Sequence, residues 1–200
     1  METRSSPQVE SHGLTSWLAK AAPHPDTAAT AWTLNPALPR RLRTGVTFDV
    51  VLAERPLVEA AYRILERYEQ PLGPALVFPP LRLGVILVPC GTSTRWSELV
   101  STPEWGPHTR RPACLGRNHM IQVPASAPTA TSTSRWLQPP DDDLTPGLAP
   151  FLTAPVQLVR CLAEASRLVR PQSDRPAPAS SLRKKAAVVA RTVLLTPRRT

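Results

Sequence analysis

Residues 44–96 read TGVTFDVVLAERPLVEAAYRILERYEQPLGPALVFPPLRLGVILVPCGTSTRW, and this block constrains the fold more than any other. Its rhythm is strand, helix, strand, turn, strand. Residues 46–52 are rich in β-branched and aromatic side chains, which fit a pleated surface. Pro56 stands where a proline at the first helical position preorganises the backbone. Leu57, Val58, Ala61, Tyr62, Leu65 and Tyr68 then recur at three- and four-residue intervals, predicting a helix over 57–68 with one apolar stripe. Glu59 and Arg63 fall four apart on its outer face, as do Arg63 and Arg67. Residues 75–78 and 83–88 predict two strands, joined as a hairpin by the PPLR at 79–82. Cys90-Gly91-Thr92 predicts a turn. Together these elements predict a packed α/β core.

Proline limits everything outside that block. The chain has 25 prolines in 200 residues, against an ordinary share of roughly 5%. Each one breaks a ladder or a helix, so elements should be short and loops long. A helix is predicted over 12–22, with Leu14, Trp17 and Leu18 on one face, stopped by Pro23 and Pro25. Asp26 reads as the N-cap of a second helix over 27–34 that turns Trp32 inward. Residues 40–43, RRLR, form a basic patch leading into the first strand. Further along, 120–123 and 134–137 read as short strands and Asp141-Asp142-Asp143 as a proline-bounded loop. Residues 155–168 form the last convincing helix, with an apolar stripe of Val156, Val159, Leu162 and Ala163. The predicted organisation is a disordered N-terminus over 1–11, one domain over 12–170, and a Pro/Ser linker with a basic tail over 171–200. The fold class is α/β, with α+β as the variant: a small mixed sheet flanked by helices.

The charge sits at one end. The chain carries a formal +9. Arg175, Arg183, Lys184, Lys185, Arg191, Arg198 and Arg199 place seven basic residues in 175–200 with no acidic one, leaving 17 basic against 15 acidic residues over 1–174. The body is nearly neutral, which argues against a basic groove on the domain and makes the tail the candidate polyanion site. Leu182, Ala186, Val189 and Val193 would share one face of a helix over 182–195, so an anionic membrane surface is a competing partner. A simply solvated tail is the plain alternative. The first 30 residues lack the apolar run of a secretory signal, and 83–89 is too short to span a bilayer. Cytoplasmic location is the expectation.

Catalytic signatures are sparse. Cys90, Cys114 and Cys161 are odd in number and widely spaced, unlike a disulfide framework or a zinc site. Cys90 beside Gly91 is a weak candidate nucleophile, with His108 or His119 as its base. His12, His24, His108 and His119 show no metal-ligand spacing, and the glycines form no phosphate loop. Trp17, Trp32, Trp96, Trp105 and Trp136 are candidate base-stacking platforms, weighed against plain core packing.

One resemblance emerges from the order of short motifs. These are Trp17-Leu18, Thr47-Phe48-Asp49-Val50-Val51, Gly73-Pro74-Ala75, Leu83-Gly84-Val85, Val88-Pro89-Cys90-Gly91-Thr92, Arg95-Trp96 and Arg135-Trp136-Leu137-Gln138-Pro139-Pro140. In this order the chain resembles small bacterial proteins related to the N-terminal domain of bifunctional DNA primase–polymerases. For active members the resemblance implies a carboxylate pair on a core strand that binds two divalent metals for nucleotidyl transfer. Here Asp49 is followed by Val50 and Val51, so the second carboxylate is missing. Asp49 reads first as a structural residue, a strand-edge acceptor or ion-pair partner, and second as a weak metal candidate, and no cofactor is expected unless Mg²⁺ or Mn²⁺ serves an enzyme. The leading expectation is a non-catalytic accessory or regulatory protein with DNA or RNA as partner. The alternatives are a protein–protein interaction module and a metal-dependent nucleotidyltransferase joining Asp49 to Asp141, Asp142 and Asp143.

Overall fold

A computed structural model describes residues 12–35, 38, 40–107, 109–124, 134–140 and 149–169. Its centre is a five-stranded sheet in the order β5-β2-β4-β3-β7. These strands are β2 (Phe48–Glu54), β3 (Ala75–Phe78), β4 (Leu83–Pro89), β5 (Ala113–Leu115) and β7 (Arg135–Gln138). Every pairing is antiparallel. The α/β class stands, and the antiparallel ladders put it on the α+β side of the expectation.

Both faces of this sheet are covered, which explains why its strands read as continuous apolar runs rather than alternating ones. Phe48, Val50, Leu76, Phe78, Val85 and Leu87 face one cluster, shared with α1 (His12–Ala19) and α2 (Pro25–Leu34). Val51, Ala53, Ala75, Ile86 and Val88 face the other, shared with α3 (Arg55–Arg67), α4 (Thr92–Ser101) and α5 (Pro155–Leu168). Gly84 lets α3 approach: a Cβ there would stand 2.6 Å from a Val58 methyl.

A two-stranded ribbon completes the first layer. β1 (Arg40–Arg43) pairs with β6 (Met120–Val123), Arg40 opposite Val123 and Arg43 opposite Met120. Leu42, Ile121 and Val123 bury on the sheet while Arg41 and Arg43 face out. Arg40 is itself buried, its guanidinium 5.3 Å from the centre of the Trp32 ring, a desolvated cation–π contact. Residues 40–43 are thus a strand in their own right, not the approach to one.

Several boundaries move for local reasons. α1 stops at Ala19, and Ala21 and Ala22 form buried turns onto Leu18 and Ala19, because the residue before Pro23 is pushed out of helical conformation. α2 begins at Pro25 with His24 at its cap; Asp26 sits in the first turn, where it complements the macrodipole rather than capping. The main strand starts at Phe48. Gly45 (φ +76°) closes a turn through its N–H to Phe48 O at 2.7 Å, leaving Val46 51% exposed. α3 has Pro56 in its first turn, as expected, but Tyr68 lies past its end and is 53% exposed. Glu59 pairs with Arg55 at 2.7 Å rather than with Arg63. The 75–88 hairpin is present, its turn a short 3₁₀ helix, Pro79–Leu81, followed by Arg82 at φ +52°. In α5 Val159, Leu162 and Ala163 are buried as expected, Leu158 and Ala165 are buried with them, and Val156 is 49% exposed. The strand expected over 134–137 is Arg135–Gln138.

Candidate functional site around Asp49

Asp49 is the second residue of β2, one position into the sheet, and is 1% exposed. It points to the α3–α4–α5 side, where Val51 and Ala53 follow it on the same face. A carboxylate among aliphatic neighbours needs a compensating partner. The chain supplies one through α4. β4 ends at Pro89, Gly91 takes the left-handed conformation at φ +88°, and α4 starts at Thr92 directly over the end of β2. The Ser93 N–H donates to Asp49 Oδ2 at 2.7 Å. Thr92 Oγ1 donates to Pro89 O at 2.6 Å and Thr94 Oγ1 to Gly91 O at 2.7 Å, fixing the same turn.

Asp49 therefore caps α4 from a neighbouring strand. It satisfies one of the orphan donors of the first helical turn and places negative charge at the positive end of the macrodipole. Gly116 is the other side of this corner. A Cβ on it would collide with Ser93 Oγ and stand 3.6 Å from Asp49 Oδ1. Cys114, opposite Val51 on β5, has its thiol pKa pushed up to about 12, first by burial and then by the Asp49 charge. Burial likewise raises Cys161, with Glu164 adding to it. Neither thiol has the depressed pKa of an activated nucleophile.

The remaining candidates disperse. Cys90 is exposed on the turn before α4. His119 turns its Nδ1 towards Gly116 O and Arg117 O. His108, Asp141, Asp142 and Asp143 lie outside the described residues, as do Arg175, Arg183, Lys184, Lys185, Arg191, Arg198 and Arg199 and the helix expected over 182–195. The tryptophans are used in packing. The Trp17 ring packs against Phe48 with centroids 5.5 Å apart and planes tilted by 39°, Trp96 Nε1 donates to Pro112 O at 2.8 Å, and Trp105 Nε1 donates to Val100 O at 2.8 Å. Among the described residues no three His, Cys, Asp or Glu side chains gather as a metal-binding group, and no helix is long and apolar enough to cross a membrane.

The sequence does not show α4 and β5, and so does not show the donor, Ser93 N–H, that Asp49 engages as a structural acceptor. The available signal was the Thr92-Ser93-Thr94 run after Gly91, a helix-start composition. No family model, curated protein or solved structure matches the chain.

The cap has a measurable weight. Asp49→Ala removes a charged acceptor and leaves the Ser93 N–H without it, so a loss of about 1.5–3 kcal/mol is expected. For a chain of this size that is a fall in Tm of roughly 3–12 °C. Asp49→Asn, which keeps an acceptor oxygen, should lose less. Equal melting of both variants and the parent chain would show that the cap carries no stability.

Proposed function

We propose that this chain is a non-catalytic relative of primase–polymerase domains. It acts as a cytoplasmic accessory or regulatory protein, and its residues Arg175, Arg183, Lys184, Lys185, Arg191, Arg198 and Arg199 engage nucleic acid. One observation supports the non-catalytic part most directly. The core-strand carboxylate that the resemblance singles out, Asp49, is 1% exposed and committed to the Ser93 N–H. Two-metal transfer needs carboxylates that share open coordination positions with substrate. Here the next position on the same strand face is Val51, which is fully buried. The nucleic-acid part rests on charge: +7 over 175–200 against +2 over the rest.

The test is a primed-template extension assay with all four nucleotides and Mg²⁺ or Mn²⁺. The expected result is no extension. Extension by the parent chain that disappears in Asp49→Asn, with the fold retained, would overturn the reading. It would establish the metal-dependent nucleotidyltransferase alternative instead.

A further inference from the structure

We propose that the outer face of the β1–β6 ribbon, together with Arg117, is a docking site for the phosphate backbone of duplex DNA. This rests on the reading of the chain as a nucleic-acid-binding protein, and it adds to the tail a second site on the folded domain. The near-neutral charge of 1–174 is made of unlike parts. Residues 27–48 and 105–140, which hold both ribbon strands, carry seven arginines and no acidic residue. The rest of 1–174 is net acidic, with 10 basic residues against 15 acidic. Folding brings three of the seven arginines onto one surface. Residues opposite each other in an antiparallel pair share a face. Arg41 stands opposite Gln122 and Arg43 opposite Met120, while Leu42, Ile121 and Val123 turn into the core. Arg41 and Arg43 are exposed and lie about 7 Å apart along the strand. Just past Arg43 the chain is tied to the β5–β6 connection. The Thr44 N–H donates to His119 O at 3.0 Å, and a Cβ on Gly45 would stand 2.5 Å from Arg117 N. Asn118 (φ +72°) turns that connection, with Arg117 exposed beside the ribbon.

These three charges are not spent inside the domain. The ion pairs among the described residues are Arg55 with Glu59, Arg67 with Glu164 and Arg95 with Glu98, all on α3, α4 and α5 across the sheet. Asp49, the acidic residue nearest Arg43 along the chain, stands beside Gly116 but is buried and takes the Ser93 N–H. The make-up of the face selects the partner. Besides arginine it presents Gln122 and Met120, both half-buried, and no aromatic or large aliphatic side chain. Protein interfaces centre on a buried apolar core, and membrane-surface sites set apolar groups among the basic ones. Single strands are held by bases stacked on aromatic rings, whereas Trp17 and Trp32 on this side of the sheet are buried in the core. A duplex keeps its bases stacked inside and presents a phosphate charge about every 1.7 Å of its axis. Exposed guanidiniums at strand spacing with no apolar anchor match that surface.

The experiment keeps ribbon and tail apart. The full-length protein, and a chain with glutamine at the seven basic residues of 175–200, are titrated with duplex DNA across a salt series. Each is compared with its counterpart carrying Arg41→Gln, Arg43→Gln and Arg117→Gln. The tail-substituted chain should keep weak binding, with a slope of log affinity against log salt of about −3 from three phosphate contacts. The ribbon substitutions should bring that slope near zero, and should make the slope of the full-length chain shallower by about 3 on any duplex sequence. Lysine at the same three positions keeps the charge and should restore both slopes. Arg63→Gln, Arg95→Gln and Arg160→Gln remove the same charge from exposed positions on α3, α4 and α5, on the opposite side of the sheet, and should leave the slopes unchanged. Equal flattening by the two sets would reduce the effect to net charge and overturn the proposal. So would a ribbon variant that keeps duplex binding and loses binding to single strands or to anionic vesicles. If the full-length protein binds DNA and its ribbon variant matches it in slope, the ribbon site is overturned and the tail reading stands. If the full-length protein binds no DNA at any salt concentration, both are overturned.

Discussion

Val85→Asp is expected to abolish folding. Val85 is fully buried at the centre of β4, opposite Leu52 on one side and Leu76 on the other. Its side chain enters the cluster of Phe48, Val50, Leu76 and Leu87. Aspartate there loses about 1.5–3 kcal/mol of apolar burial. It also adds an ionised or forcibly neutral carboxyl with no partner, at several kcal/mol more. A domain has only about 5–15 kcal/mol of stability to lose. Val46→Asp is the matched control. Val46 is 51% exposed on the turn before β2, and its substitution should stay within about 0.5 kcal/mol. Thermal melts followed by circular dichroism distinguish the two. A native-like melt for Val85→Asp would mean that β4 does not occupy the centre of the sheet.

Glutamine at Arg175, Arg183, Lys184, Lys185, Arg191, Arg198 and Arg199 is expected to remove most nucleic-acid affinity. Each phosphate neutralised on duplex DNA contributes about 0.9 to the slope of log affinity against log salt. Seven contacts give a slope of about −6, and hence a loss of roughly 4 × 10³-fold between 50 and 200 mM salt. Over 1–174 the balance is 17 basic to 15 acidic residues, so the substituted chain should show a far shallower slope. Binding isotherms across a salt series read this directly. An unchanged affinity and slope would move the binding surface onto the folded domain, with the outward Arg41 and Arg43 of the ribbon the first residues to test.

The legible parts of the fold were those whose signal is local. The α3 stripe shows in the sequence because 3.6-residue periodicity needs only α3 itself, and Pro56 marks its start. α5 was legible over its whole length, since Pro155 opens it and its apolar residues keep helical spacing. The 75–88 hairpin was legible because its two strands and turn are contiguous. Val156 and Tyr68 were misassigned at helix ends, where periodicity no longer reports which side the neighbouring element covers. α4 was hidden because its polar face is broad: only Thr92, Trp96 and Val100 are buried along it.

The sequence by itself determined the α/β character, the core of residues 44–89, the helices α3 and α5 and the concentration of charge at one end. Propensity, periodicity and proline placement act within a few residues and can be read there. Only the tertiary structure decided three things. It made Arg40–Arg43 a strand by pairing it with Met120–Val123, far away in sequence. It made the sheet antiparallel and two-sided. It gave Asp49 its role, because the Ser93 N–H that engages it lies 44 residues on and arrives only when β4 and α4 fold back over β2. A carboxylate on a core strand has the same letter in the sequence whether it binds a metal or caps a helix. Its chemistry is fixed by whichever donor the chain's return path brings within hydrogen-bond reach.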